Sequence, residues 1–410
     1  MRLGLAPRGS RGEWLGRQVL GGLRVGRDEG LKALFVTIFQ QISARFSQKR
    51  RLRADPKVLM GDDDWSSRPN QYDHAIDRES GIDVSKPDEK HTLSSTWISS
   101  EKRPEGLISV IIPSYNHSRF IRQAILSVNH QTYDNIQLII IDDGSDDDSI
   151  RVIEDTLKQV RLTDVIFEVQ EHQGAHNAIN NGILCSQGEF ICILNSDDYY
   201  HPSRLVRLHE FSRAGKYDFV FSEVLHIDEE ANELSSHLYS MTYRTWLREL
   251  KDFPSLGFSL LRYNGTISSG NFFFTAGLIE RVGLFRTYTT VHDWDFVLRV
   301  LLYCEPSFLR VPLLYYRIHK TNTISRPQSL EKGLVEYQGV LKDFFGTVKR
   351  QVIQNRLAPS PQNWSSYFET FLQHESFLLS LSMSLHPVFS DLWSLWTSCE
   401  VISDFSVVRS

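Results

Sequence analysis

The sequence predicts an α/β protein in which a mostly parallel sheet is flanked by helices, with helical extensions at its N- and C-terminal ends. Three observations lead there. From Leu107 onward, apolar segments of strand length alternate with segments of helical periodicity, the texture of a parallel sheet with covering helices. Segments such as Phe190 to Leu194 are unbroken apolar runs, as in strands buried on both faces. Two such runs end in paired carboxylates, Asp142 with Asp143 and Asp197 with Asp198, and the carboxyl ends of strands are where open α/β sheets bind ligands. On local grounds alone, a turn and a helix cap account for Asn195, Ser196 and the acidic pair equally well.

Residues 1 to 58 are rich in Arg and Lys. Within them Leu31, Leu34, Phe35, Ile38, Phe39 and Ile42 share a helical face, and a basic cluster, Lys49 to Arg53, follows. A helix lying on an anionic membrane surface and a helix packed on the main domain or on a partner both satisfy this pattern. Residues 59 to 105 show little periodicity and read as a linker. The main domain is expected over 106 to 327. "LISVIIPSY" reads as its first strand and "RFIRQAILSVNHQ" as a helix; "IQLIIIDDGS" is the second strand, followed by a helix over roughly Asp148 to Gln159. "DVIFEVQE" is a third strand, "GAHNAINNGILCS" a helix and "FICILNSDD" the fourth strand. The next helix starts from Pro202, a residue favoured at early helical positions. "DFVFSEV" is a fifth strand, and beyond a less regular region come "SGNFFFT", a helix over "HDWDFVLRVLLY" and a strand in "RVPLLYYRI". Residues 328 to 410 read as a helical extension with aromatic and leucine faces.

With 410 residues and 41% hydrophobic content, the chain has ample material for a core. A net charge of −5 gives no global argument for nucleic acid, and none is expected as a partner. Cys185, Cys192, Cys304 and Cys399 form no CxxC pair, so neither a zinc set nor a disulfide framework is indicated. No apolar run approaches the roughly 18 to 20 residues that span a bilayer, and the N-terminus lacks a signal peptide's long apolar region. The expectation is a cytoplasmic protein, soluble or peripheral on the inner face of a membrane.

Paired carboxylates at one strand tip repel unless a cation or hydrogen-bond donors compensate. Mn²⁺ or Mg²⁺ is the natural compensation, because hard cations take oxygen ligands and Mg²⁺ is commonly held by one or two carboxylates together with substrate phosphates. A metal-bound diphosphate, hence a nucleotide, is the ligand this suggests. The sequence has neither GxGxxG after its first strand nor GxxxxGK[ST], which argues against dinucleotide dehydrogenases and P-loop NTPases. Instead "SVIIPSYN", "IIIDDGSDD", "GAHNAINNGI", "GEFICILNSDDYYHP" and "HDWDFVLRV" occur in that order. Together, over roughly residues 107 to 325, they resemble a family 2 glycosyltransferase with a glycosyltransferase A-type fold.

The resemblance implies that Pro113, Ser114, Tyr115 and Asp143, with Asp142 as neighbour, hold the base and ribose of a nucleotide-sugar donor, a UDP-sugar foremost. It places the family's DxD motif on Asn195, Ser196 and Asp197, with Asp197 as ligand of Mn²⁺ or Mg²⁺ on the donor diphosphate and Asp198 beside it. Asn195 departs from the family's first Asp, although an amide still bonds a ribose hydroxyl. The family's A-R-N reads Ala178, Ile179, Asn180; Asn180 joins the donor-binding set, while the usual Arg is missing. The general base falls on Asp293, with His292 in place of the family's acid. Helix capping is the alternative for Asp293, and Asp295 faces elsewhere on the helix. His319 of "YYRIHKTNTIS" matches a closing R-x-H segment and is the further contact to metal or diphosphate. The implied activity is inverting transfer of a sugar to a hydroxyl of a glycan or lipid-linked acceptor. A nucleotidyltransferase would want a glycine-rich basic loop where "PSYNHSRF" stands; a non-catalytic glycosyltransferase-like scaffold is kept open by Asn195, Ile179 and His292.

Overall fold

The computed structural model describes residues 99–322, 327–350, 353–365 and 367–368. The amphipathic segment over residues 31 to 42, the basic cluster after it and Cys399 lie outside them. Two units are distinguished. Among the described residues one comprises Ser236–Thr242, and the other, up to Ser235 and from Tyr243 onward, carries the sheet.

Eight strands form one sheet among the described residues: β1 (Ile108–Ser114), β2 (Ile136–Asp142), β3 (Asp164–Val169), β4 (Phe190–Ile193), β5 (Tyr199–Tyr200), β6 (Phe219–Ile227), β7 (Phe273–Thr275) and β8 (Ser307–Arg317). Their order across the sheet is β3-β2-β1-β4-β7-β6-β8-β5. The chain steps outward from β1 to β2 to β3 and then crosses to β4 on the other side of β1, all in parallel. Loops leaving β1 and β4 therefore diverge, and the crevice between them is the switch point where open sheets bind ligands. Every residue of β2 and of β4 is buried, which explains the apolar runs Leu138–Ile141 and Phe190–Ile193: strands covered on both faces need apolar side chains on both.

The sheet is mixed rather than mostly parallel along its second half. β7 runs antiparallel to β4 and β6, and β5 antiparallel to β8, while β6 and β8 are parallel with two slips of register around Glu223. Apolar character alone carries no strand direction, and β5 has only two residues, too short to show a period.

The helices are α1 (Ile121–Asn129), α2 (Ser149–Leu157), α3 (Ala175–Cys185), α4 (Arg204–Gly215), α5 (Leu238–Glu249), α6 (Leu256–Arg262), α7 (Ala276–Val282), α8 (His292–Val300) and α9 (Pro327–Arg350). α8 is held to the sheet by an aromatic layer: Phe285 and Phe296 stack with centroids 4.3 Å apart, and Phe296 also meets Phe219, Phe272 and Phe274. Such contacts add to the burial of large rings, and they fix the start of α8. α9 belongs to the same packed body, since Tyr337 stacks on Trp294 at 4.3 Å and Glu336 accepts from Thr289 and Thr290. The packed body also begins before residue 106. Arg103, read from sequence as linker, is buried with its guanidinium donating to Gly188 O at 2.8 Å and Ser186 Oγ at 3.3 Å.

Gly188 seats β4 beside β1. A Cβ there would meet Ser109 N at 2.6 Å and Leu107 O at 2.7 Å, both backbone atoms that no side-chain rotation relieves. Gly188→Ala is therefore expected to lower unfolding free energy by about 1–3 kcal/mol. Gly339, inside α9, has only an ordinary contact at 3.7 Å, and Gly339→Ala is expected to raise stability by up to about 1 kcal/mol. Urea unfolding of both variants checks the pair; a neutral Gly188→Ala would contradict the close packing of β4 on β1.

Candidate active site

β4 delivers the chain to Asn195, and a tight turn closed by Asp198 N donating to Asn195 O at 3.1 Å carries the acidic pair just beyond the carboxyl end of the strand. Asp197 and Asp198 are both buried, yet their surroundings differ. Asp197 Oδ2 accepts from His319 Nε2 at 2.9 Å and from Asn322 Nδ2 at 3.3 Å, and His117 Nε2 stands 3.9 Å away. Burial pushes the Asp197 carboxyl up, but the charge of His117 and the His319 hydrogen bond outweigh it and hold the group below the usual carboxylate range. Asp198 moves the other way. Burial first, then the neighbouring Asp197, push it well above that range against a hydrogen bond from Arg317.

Arg317 ties this turn to the rest of the molecule. Its backbone N donates to Asp198 Oδ1 at 2.8 Å, its Nε to Asp197 O at 2.9 Å, and its Nη1 to Asp228 O and Glu229 O at 2.9 and 3.0 Å. The guanidinium lies 4.8 Å from the Phe120 ring centroid. A planar fork with five donors suits such a convergence of acceptors. Two residues on, His319 is set by Thr321 Oγ1, 2.7 Å from its Nδ1, leaving Nε2 for Asp197.

The loop after β1 supplies His117. Asn116 takes φ of 53°, a left-handed conformation that Asn tolerates. Its side chain accepts from Asp146 N at 2.9 Å, while Asn116 N and His117 N donate to Ser145 Oγ and Ser149 Oγ, both at 2.9 Å. The loops after β1 and β2 are thus locked together, and His117 Nδ1 meets Ser196 Oγ at 2.7 Å. The rings of His117 and His319 lie edge to face, 5.6 Å apart. One ligand atom from each of His117, Asp197 and His319 lies within 4.8 Å of the other two, a grouping able to hold a metal ion.

Asp142 and Asp143 are committed to the turns around them. Asp142 accepts from Ser145 N and Ser145 Oγ, both at 2.8 Å. Asp143 accepts from Gln170 Nε2, Gln173 N and Gly174 N at 2.7 to 2.8 Å, with His172 Nδ1 at 2.9 Å. His172 in turn stacks on Tyr115, centroids 4.2 Å apart. The exposed Tyr115 ring and the buried Ser114 hydroxyl, which has no partner among the described residues, sit at the tip of β1 beside Pro113. Asn180 is engaged elsewhere: its amide exchanges two 2.8 Å hydrogen bonds with the backbone of Phe285. Asn195 Oδ1 accepts from Ser269 Oγ at 3.2 Å.

Asp293 opens α8. It is buried, with Oδ2 accepting from Asn264 Nδ2 at 2.9 Å and Oδ1 from Trp294 N at 2.8 Å. Burial raises its carboxyl above the usual range, opposed by His292 and by these hydrogen bonds. Asp295 is held by Arg299 Nε at 2.9 Å and Arg286 Nη1 at 3.5 Å, so the two acids of "HDWD" occupy different surroundings as their spacing requires. Sequence reasoning missed His117, His172, Arg317 and Asn264. His117 and Arg317 stood inside motifs already singled out, "PSYNHSRF" and R-x-H; for His172 and Asn264 no pattern pointed to a role.

Residues 109–280 match the model of Glycosyl transferase family 2. An uncharacterized glycosyltransferase of Rickettsia typhi is 25% identical over 285 residues, covering 68% of this chain and 84% of that protein. Glycosyltransferase GlyG of Streptococcus pneumoniae is 32% identical over 123 residues, 30% of this chain and 40% of that one. The crystal structure of S. aureus TarS in complex with UDP-GlcNAc overlays with a TM-score of 0.49 at 16% identity, over 68% of this chain and 76% of that one. Residues 109–280 therefore carry a domain of Glycosyl transferase family 2.

Proposed function

We propose that this glycosyltransferase moves a sugar from a nucleotide diphosphate donor to an acceptor hydroxyl with inversion. The observation that carries the reading is the cluster of His117, Asp197 and His319 at the end of β4, in a domain that also buries a raised carboxyl, Asp293, at the mouth of α8. In the step proposed, the acceptor oxygen bonds to the anomeric carbon from the side opposite the nucleotide. The bond from that carbon to the diphosphate breaks, its electron pair leaves with the nucleoside diphosphate, and the acceptor proton passes to Asp293. One displacement gives inversion. A general base needs hydrogen-bond reach and a pKa near working pH, and burial moves Asp293 in that direction.

A divalent cation fits the residues present: an ionised carboxylate oxygen and two imidazole nitrogens converge, and three protein ligands leave positions for donor phosphate oxygens. His117, Asp197 and His319 would hold it, and it would supply charge stabilisation to the departing diphosphate. Two nitrogen donors favour Mn²⁺ over the oxygen-preferring Mg²⁺. At the β1 tip, Tyr115 offers a ring face for a base and Ser114 an unpaired hydroxyl; UDP-sugars are the first donors to try. The acceptor proposed is a glycan or lipid-linked hydroxyl. No helix among the described residues is long and apolar enough to cross a membrane; the contact proposed with an anionic membrane surface is through residues 1 to 58, which the sequence marks as basic.

Two outcomes test this. A thermal-shift panel of UDP- and GDP-sugars with Mn²⁺ is expected to give a selective rise in Tm. Chelator should remove that rise, Mn²⁺ should restore it better than Mg²⁺, and in Asp197→Ala it should not return; an undiminished shift in chelator refutes the metal. Separately, Asp293→Asn is expected to lower turnover by roughly 100-fold or more with donor affinity nearly unchanged. Wild-type turnover should fall with acidity through a pKa above that of an ordinary carboxylate, because protonated Asp293 cannot accept the proton. Asp295→Asn, which breaks the pair with Arg299, should lower stability instead. Normal turnover in folded, donor-bound Asp293→Asn would move the base elsewhere.

A further inference from the structure

Between the loop after β4 and Asp293 the chain runs through a polar strut, residues 264–271. At one end Ser269 bonds Asn195, and Gly270 lies so close that an added Cβ would stand 3.1 Å from Asn195 N. In the middle Asn271, fully buried, accepts at Oδ1 from Arg204 Nη2 at 3.1 Å and donates through Nδ2 to Ser222 O at 2.8 Å and Thr266 O at 3.1 Å. Arg204 is itself fully buried, its Nη1 on Ser222 Oγ at 2.7 Å and its guanidinium 4.5 Å from the Tyr200 ring centroid. At the other end Thr266, also fully buried, donates to Asn264 Oδ1, and Asn264 Nδ2 reaches Asp293. Within the strut Ile267 takes φ of 71°, an outlier for a β-branched residue. Such strain persists where the surroundings over-determine it, and it clusters at functional sites.

Donor and acceptor chemistry fixes the direction of this chain of bonds. An ionised carboxylate only accepts, so Asn264 must turn its nitrogen to Asp293 and its oxygen to the Thr266 hydroxyl. Thr266 is pinned in turn through its carbonyl by Asn271. We propose that Asn264, oriented by Thr266, is a positioning residue for the general base, holding the Asp293 carboxylate ionised and in one orientation. The inference rests on the reading of Asp293 as base. His292, beside Asp293 on α8, is the neighbouring titratable group, and Arg286 and Arg299 are engaged by Asp295. A hydrogen bond to the charged form lowers a carboxyl pKa, so loss of Asn264 raises it.

The test compares Asn264→Ala, Asn264→Asp, Thr266→Val, Thr266→Ser and Asp293→Asn in the full chain. The readouts are the pH profile of hydrolysis, by water, of the nucleotide sugar that gives the largest thermal shift, and the pH midpoint for carbodiimide labelling of Asp293, read by peptide mass spectrometry. Carbodiimide attacks the protonated carboxyl and needs no donor. Asn264→Ala is expected to lower kcat roughly tenfold or more at nearly unchanged donor KM, and to move the acid limb and the labelling midpoint up by about one unit. Asn264→Asp, close to isosteric, sets a second acid beside the first and should move both further. Thr266→Val should shift them in the same direction, and Thr266→Ser should restore the wild-type values. If Asn264→Ala does not fold, Asn264→Asp and the Thr266 pair decide. Wild-type limb and midpoint in the folded Asn264 variants, with Asp293→Asn inactive, would overturn the positioning role and leave the base in place; full turnover in Asp293→Asn would overturn both.

Discussion

Two adjacent carboxylates, Asp197 and Asp198, are buried at the end of one strand, and the organisation around β4 answers that constraint. Neighbouring acids in a low dielectric cannot both ionise without compensating charge or donors. The chain divides the roles. Asp197 keeps its charge against His117 and His319, while Asp198 is driven toward its neutral form and spends one oxygen on the backbone of Arg317. The end of β8 serves this division: Arg317, its last residue, and His319, in the turn that follows, both reach the pair. It also explains why the loop after β1 bends through a left-handed Asn116: the bend brings His117 to Ser196 and within range of Asp197.

The same logic of buried polar groups with assigned partners runs through the rest of the site. Asp143 saturates its carboxylate with the turn before α3 and so shapes the wall where Tyr115 and His172 stack. Arg204 lies buried among the oxygens of Ser222 and Asn271. Removing one partner from such a network leaves a desolvated group unmet, which costs about 1–3 kcal/mol or more. The strut over residues 264–271 links the two chemical ends, since it touches Asn195 at one side and Asp293 at the other. The aromatic layer around Phe296 packs α8, the helix that Asp293 opens, against Phe274 of β7.

Much of this was legible in the sequence, and for physical reasons. β2 and β4 are buried on both faces, so each carries a continuous apolar run, Leu138–Ile141 and Phe190–Ile193, and the acid pairs that follow stand out against that background. The family resemblance rests on five ordered motifs, and the four from "SVIIPSYN" to "GEFICILNSDDYYHP" lie within residues 109–280, which the family model matches. What remained illegible depends on contacts distant in sequence. The antiparallel direction of β7 is set by pairing with β4 and β6, which its apolar residues alone do not encode. Asn180 looked available for a donor, yet its partner is the backbone of Phe285, 105 residues away. His117 meets Asp197 only because two loops interlock, and Arg103 reads as linker until Gly188 O is placed beside it.

Around the divided acidic pair, the proposal is that Asp197, with His117 and His319, holds a divalent cation. Anomalous diffraction from crystals grown with Mn²⁺ and a nucleoside diphosphate, collected above the manganese edge, tests it directly. A peak bounded by Asp197 Oδ2 and the imidazole nitrogens of His117 and His319 is expected, with diphosphate oxygens completing the shell. A bound nucleotide with no peak at those three residues, or with the peak on Asp142 and Asp143 instead, would contradict it.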